Sequence, residues 1–218
     1  MNQLICQRRS CRAFSDQPVD WEVVRGLLET AKWAPSGTNH QPAKVAVLGP
    51  ETRARLSKAL VKQFDAGIPP NPDYEYCPET WPVSYKTRRK ACGRALYQSL
   101  GIALDDIEGK KKHKRRNYTF FEAPIGLIVF IEKGLPKGSW LDLGLFIQNF
   151  LLAAADLGLA TCAQATLAEY PDEVRKILGL GEVEIVCGIA VGYADPAHPL
   201  NSYRTEWEPL EAFTHWYE

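Results

Sequence analysis

Apolar positions at Trp21, Val24, Leu27, Leu28 and Ala31 recur at helical spacing, which predicts an amphipathic helix from Trp21 to about Trp33. Asp20 is placed to cap it and Pro35 to stop it. "KVAVL" at 44–48 reads as a short buried strand, and "PETRARLSKALVKQF" opens a second helix with Pro50 in its first turn. Residues 65–88 hold five prolines and three tyrosines, the mark of an ordered loop or flap whose aromatic side chains suggest a wall or lid. "RRKACGRALYQSLGI" follows as a helix. The run "PIGLIVFIE" at 124–132 predicts a central strand, "PDEVRKILGL" a short helix and "EIVCGIAVGY" another strand.

The segment 140–159, "WLDLGLFIQNFLLAAADLGL", is helical in length but apolar nearly all round, broken by Asp142, Gln148, Asn149 and Asp156. In a chain of this size such a helix predicts a subunit interface. The tail beyond the last strand is irregular and carries Phe213, Trp216 and Tyr217, side chains that need a surface to dock on.

Composition removes several function classes. The 218 residues carry 26 basic and 26 acidic side chains, so no excess charge draws the chain to nucleic acid or an anionic membrane. Any anion is bound locally. The basic run "KKKHKRR" at 110–116 reads as a solvated loop or helix end, because no RNA-binding module or aromatic stacking pattern accompanies it. No stretch is long and apolar enough to span a membrane, and the start of the chain does not resemble a signal peptide, which together predict a cytoplasmic protein. Six scattered cysteines, with no C-x-x-C pair, speak against zinc and against a disulfide scaffold. Cys11 lies among arginines that could lower its pKa, but the favoured reading is a small side chain between two anchoring arginines.

Candidate chemistry is confined to loops. The chain contains no G-x-G-x-x-G, P-loop, H-E-x-x-H or G-x-S-x-G motif, and two of its four histidines sit in loops without a carboxylate partner visible in sequence. What stands out is "RRSCR", with Arg8, Arg9 and Arg12 around Ser10, and two polar loops, "APSGTNHQP" at 34–42 and "DPAHPLNSYR" at 195–204. Loops of this kind expose backbone and side-chain amides able to read the edge of a planar heterocycle. On its residues alone, "TCAQAT" at 161–166 reads as a connection between two helices.

These stretches, in the order "RRSCRAF", "AKWAPSGTNHQPAKV", "DLGLFIQNFLLAAADLGLATC" and "GIAVGYADPAHPLNSYR", resemble the FMN-dependent nitroreductase family from end to end. The segment 65–118, with "GRALYQSLGI", is most similar to the nitrobenzoate-reductase branch. The resemblance implies an α+β fold in which a mixed, largely antiparallel sheet is flanked by helices. It also implies one domain over 1–218 with a flap at about 65–118, and an intertwined homodimer.

By the same resemblance, Arg8, Arg9, Ser10 and Arg204 hold the phosphate and ribityl chain of FMN, and Arg12 lies at the N1/O2 edge of the ring. Pro35, Ser36, Gly37 and Asn39 reach the cofactor from the other subunit. Gln164 and Ala165 match the loop whose backbone amide faces flavin N5. Ser202 stands where many relatives carry lysine, so the cradle has one fewer charge, which Arg9 can offset. The implied activity is hydride transfer from NADH or NADPH to a nitroaromatic or quinone-like substrate through a ping-pong cycle at one flavin face. Catalysis then resides at FMN N5 with no catalytic side chain and no metal. Tyr74, Tyr76, Trp81 and Tyr85 are candidates for the substrate side, or else pack the flap for its own stability. Other activities on the same fold stay open: reductive dehalogenation, flavin destruction, or FMN binding without turnover as a sensor.

Overall fold

A computed structural model describes residues 1–218. Seven α-helices and four strands follow in the order α1 (Asn2–Gln7), α2 (Trp21–Ala31), β1 (Lys44–Leu48), α3 (Pro50–Asp65), α4 (Val83–Ser99), α5 (Ile107–Arg115), β2 (Ile125–Glu132), α6 (Lys137–Asp156), β3 (Ala160–Gln164), α7 (Pro171–Leu178) and β4 (Val183–Gly192). The strands form one sheet, β1-β2-β4-β3, with every neighbouring pair antiparallel.

The alternation of β2 explains the layering. Ile125, Leu127, Val129 and Ile131 face a core with Val24, Leu27 and Ala31 of α2 and Leu143 and Phe150 of α6. Ile128 and Phe130 face a second core with Leu56 and Leu60 of α3, Val174 of α7, and Tyr118 and Phe120 from the turn that precedes β2. A bulge opposite Val129 and Phe130 inserts Val186 into β4. The parity of β4 therefore changes: Val183 and Ile185 point to one core, Cys187, Ile189 and Val191 to the other.

Several expectations hold and others are corrected. Asp20 caps α2 by accepting from the Glu22 amide, but the helix ends at Ala31, leaving Trp33 exposed, and Trp21 lies half-exposed over Gly49. β1 is an edge strand, buried only at Leu48. The proline-rich segment is irregular to residue 82; α4 then begins at Val83, inside the stretch expected to be a loop, and buries no residue at all. The basic run forms the end of α5, where Lys112, Lys114 and Arg115 complement the helix dipole. Residues 160–164 are a strand and not a connection between helices. No helix is long and apolar enough to cross a membrane.

The irregular stretch before α4 is pinned to the sheet. Asp73 accepts from Arg175 Nη1 at 2.8 and 3.0 Å and from the Ile185 amide at 2.8 Å, and Tyr74 donates its hydroxyl to the Val186 carbonyl at 2.7 Å. α6 presents Leu141 and Leu145 outward, uncovered in a single chain, as its all-round apolar character predicts.

Candidate functional site

The arginine segment is laid along the open edge of the sheet. Ser10 bridges Thr161 of β3 in parallel, Cys11 donates its amide to the Thr161 carbonyl at 2.9 Å, and Phe14 bridges Ala194 just past β4. Asn201, almost fully buried, locks this arrangement. Its side-chain amide donates to the carbonyls of Ala13 and Asp195 at 2.8 and 2.9 Å, and its oxygen accepts from the Arg12 amide and the Cys11 thiol. The two ends of the chain thus meet at β3, and Asn201 does what neither its spacing nor its residue type announced.

A cleft of about 450 Å³ opens there, lined by Arg8, Arg9, Thr161, Gly158, Ala155 and Arg204 among others. Arg204 donates from Nη1 to the Gln7 carbonyl at 3.2 Å, and Arg12 donates to the Tyr203 hydroxyl at 3.0 Å. None of the ion pairs in the molecule involves Arg8, Arg9, Arg12 or Arg204. Guanidinium groups gathered without a carboxylate form a receptor for an anion with several oxygens. Burial raises the pKa of the Cys11 thiol, outweighing the opposing pull of its hydrogen bonds and of Arg9 and Arg12, and pushes Cys162 up to about 11. Burial thus favours the protonated thiol at both, and all six cysteines are free.

Gln164 closes β3 opposite Gly188, and its buried side chain donates to the Asn117 carbonyl at 2.9 Å. Ala165 begins the turn that follows. The strand carrying Gln164 is therefore the one that lines the arginine cleft at Thr161.

Pro35 and Ser36 lie elsewhere. Together with Gln41, Asp142 and Phe146 they line a separate cavity of about 160 Å³, while the arginine cleft reaches α6 at Ala155. At 1.5 Å per residue, Asp142 and Ala155 are about 20 Å apart along the helix. One chain does not bring loop 35–39 and the arginines to a single cleft.

The aromatic candidates divide. Tyr74 is half-buried, its ring centroid 4.6 Å from that of Trp140 in a tilted contact, with its hydroxyl committed to Val186, so it packs the segment in place. Trp81 and Tyr85 carry the guanidiniums of Arg89 and Arg88 over their rings at 5.6 and 4.5 Å, and Tyr76 is largely exposed.

Residues 5–193 match the model of the nitroreductase family. The chain is 38% identical over 208 residues to a 4-nitrobenzoate reductase of Nocardioides sp. (strain LMS-CY), covering 94% of this chain and 84% of the relative. It is 36% identical to a nitrobenzene nitroreductase of Ectopseudomonas oleovorans, covering 98% and 95%. Among solved structures it superposes on the FMN-dependent nitroreductase NfnB of Mycobacterium smegmatis in complex with NADPH with a TM-score of 0.95 at 32% identity, covering 100% and 97%. The FMN and NADPH-dependent NfnB of Sphigopyxis sp. strain HMH gives 0.97 at 33% identity, covering 100% and 98%. With the sheet order, the arginine-lined edge and these matches in agreement over nearly the whole length, the chain belongs to the nitroreductase family, near its nitrobenzoate reductases.

Proposed function

We propose that the protein is an FMN-dependent NAD(P)H oxidoreductase that reduces nitroaromatic compounds, working as a homodimer of one nitroreductase domain per chain with residues 65–118 as a flap. The observation that carries this reading is the cleft of Arg8, Arg9 and Arg204, free of carboxylates at the edge of β3. Such a site suits a phosphate monoester dianion, which accepts several charge-assisted, bidentate hydrogen bonds. The relatives' dependence on FMN, named for the NfnB structures, fits the same geometry.

In this reading Arg8, Arg9, Ser10 and Arg204 bind the phosphate and ribityl end. Arg12, oriented by Tyr203 and by the Asn201 clamp, offers a permanent cation to the pyrimidine edge of the ring. A positive charge there favours the reduced, anionic cofactor. Gln164 and Ala165 present the end of β3 to the hydride-bearing edge, and Pro35, Ser36, Gly37 and Asn39 come from the partner copy, which explains why they lie far from the arginines within one chain. When bound, the flavin would supply the redox chemistry, hydride transfer between the nicotinamide and the nitro group. The protein supplies position and charge, and no acid or base is required of it.

Purified protein titrated with FMN should quench flavin fluorescence to one cofactor per chain. Its yellow colour should bleach anaerobically with NADPH or NADH and return on addition of a nitroarene. Steady-state plots at varied donor and acceptor should give parallel lines, because both use one face. Failure to take up FMN would overturn the proposal, and intersecting lines would overturn the shared face.

A further inference from the structure

The loop between α2 and β1 is held in a conformation its residues do not favour. Thr38, Asn39 and Gln41 all have positive φ, at 49°, 60° and 49°. For a β-branched threonine this is uncommon, and such geometry persists only where its surroundings impose it. Local bonds contribute: Asn39 donates its amide to the Ser36 carbonyl at 3.0 Å, and Gln41 donates its amide to Ser36 Oγ at 3.0 Å. They shape the loop but do not fix where it points.

Two residues of α6 do that. Asp142 Oδ2 accepts the Gly37 amide at 3.0 Å and lies 3.5 Å from His40 Nε2. The same nitrogen is 3.1 Å from the hydroxyl of Ser139, which is buried, and the other ring nitrogen of His40 meets the Gly37 carbonyl. Gly37 is thus held through both peptide groups that flank its Cα, through its N–H by Asp142 and through its C=O by His40, while Asp142 also steadies His40. On the α6 side the anchor is well buried, with the Asp142 side chain only 12% exposed, while Gly37 and His40 lie at the surface. Neither His40 nor Asp142 is among the residues that the family resemblance marks as binding anything.

We propose that Asp142 and His40 are positioning residues that lock residues 36–41 to α6 in a preformed shape. This rests on the reading that the loop serves the flavin of the partner copy. Preformation matters because a loop that must be ordered at each binding event weakens affinity by its ordering cost. The lock lies on the helix whose opposite end lines the arginine cleft, so one rigid element sets the position of both halves of the composite site.

The test separates the lock from the cofactor. In the apo protein, exchange of the Gly37 amide should quicken about tenfold in Asp142→Ala, the loss of one hydrogen bond. In Asp142→Asn, whose side-chain oxygen can still accept from Gly37, it should stay within about threefold. FMN affinity should follow the same order, about tenfold weaker for Asp142→Ala and nearly restored for Asp142→Asn, with dimer mass by light scattering at saturating FMN unchanged in both. His40→Ala should resemble Asp142→Ala in weaker form. Unchanged Gly37 exchange in Asp142→Ala would overturn the lock, and faster exchange with unaltered FMN affinity would overturn its positioning role. Should the wild-type protein bind no FMN, the functional reading fails instead, and the exchange measurement still decides whether the lock exists.

Discussion

Arg204 donates from Nη1 to the backbone carbonyl of Gln7 at 3.2 Å, joining residues 197 positions apart in the chain. The bond occupies one of five guanidinium donors and neutralises no charge, so Arg204 is oriented yet still able to bind an anion. Replacing Arg204 or Arg8 with alanine should remove charge-assisted contacts worth about 1.5–3 kcal/mol each, weakening FMN binding roughly ten- to a hundredfold. Arg204→Lys should recover only part of this, because an ammonium lacks the planar fork. Fluorescence titration of the apo proteins measures all three. Wild-type affinity in both alanine variants would remove these arginines from the site.

Two glycines should respond to alanine in opposite directions. A Cβ at Gly188 would collide with the Cδ1 of Leu167 and lie 3.0 Å from its Cβ and Cγ, and Leu167 is fully buried with nowhere to move. Gly188→Ala should therefore cost about 1–3 kcal/mol, the range for an overpacked core. Because Gly188 pairs with Gln164, it should also disturb the end of β3. Gly26, in the exposed middle of α2, has no atom within 4 Å of an added Cβ. Gly26→Ala should stabilise by about 0.5–1 kcal/mol through helix propensity alone. Urea unfolding of the two variants beside the parent decides both signs.

How far the sequence foretold this structure depended on whether a segment's own residues determine it. α3 and α7 were legible because Pro50 and Pro171 open them, and β2 and β4 because unbroken apolar runs demand burial on both faces. β3 was not: "ATCAQ" has small and polar residues, and it becomes a strand because β4 pairs one edge and residues 10–11 the other. α4 carries no apolar stripe to mark its first turn and buries nothing. The left-handed run Phe120, Phe121, Glu122 has no local signature, since it is held by the Arg116–Glu122 ion pair and the Thr119 hydroxyl. As for the site, the residues alone raised the question of what Arg8, Arg9 and Arg12 hold, and resemblance brought Arg204 to them. Spacing gave no hint of Asn201 as the clamp, because its partners Ala13 and Asp195 offer only carbonyls.

His113 supplies a pH dependence. Its ring is buried between Tyr97, edge-on at 6.2 Å, and Phe121, at 6.0 Å. Burial first, then the charges of Arg116, Arg12 and His198, lower its pKa from 6.5 to about 4. Between these values the unfolded chain binds a proton that the folded protein refuses. Stability should therefore fall as pH drops from about 6.5 to 4, by roughly 2–3 kcal/mol from this residue. His113→Phe should flatten that part of the profile in urea titrations at stepped pH. An equally steep loss in the variant would assign the acid sensitivity to other groups.

Phe213, Trp216 and Tyr217 are 67%, 77% and 93% exposed, and Leu141 on α6 is 69% exposed, which leaves a large apolar area uncovered in a single chain. Aromatic side chains of this size each bring 150–250 Å² to an interface, so the tail and α6 together can supply much of the more than about 2,000 Å² that an obligate homodimer buries. The same second copy would carry loop 35–39 to the arginine cleft, which one chain leaves about 20 Å away along α6. Dimerisation and flavin retention should then be one equilibrium, since a cofactor that binds only the assembled form stabilises it by mass action. Deleting residues 212–218 should shift the protein toward monomer at micromolar concentration and release FMN to the same extent, with added FMN driving reassociation. Light scattering coupled to visible absorbance follows both quantities in one run. A truncated monomer that keeps one FMN per chain would show that the site is complete within a single copy.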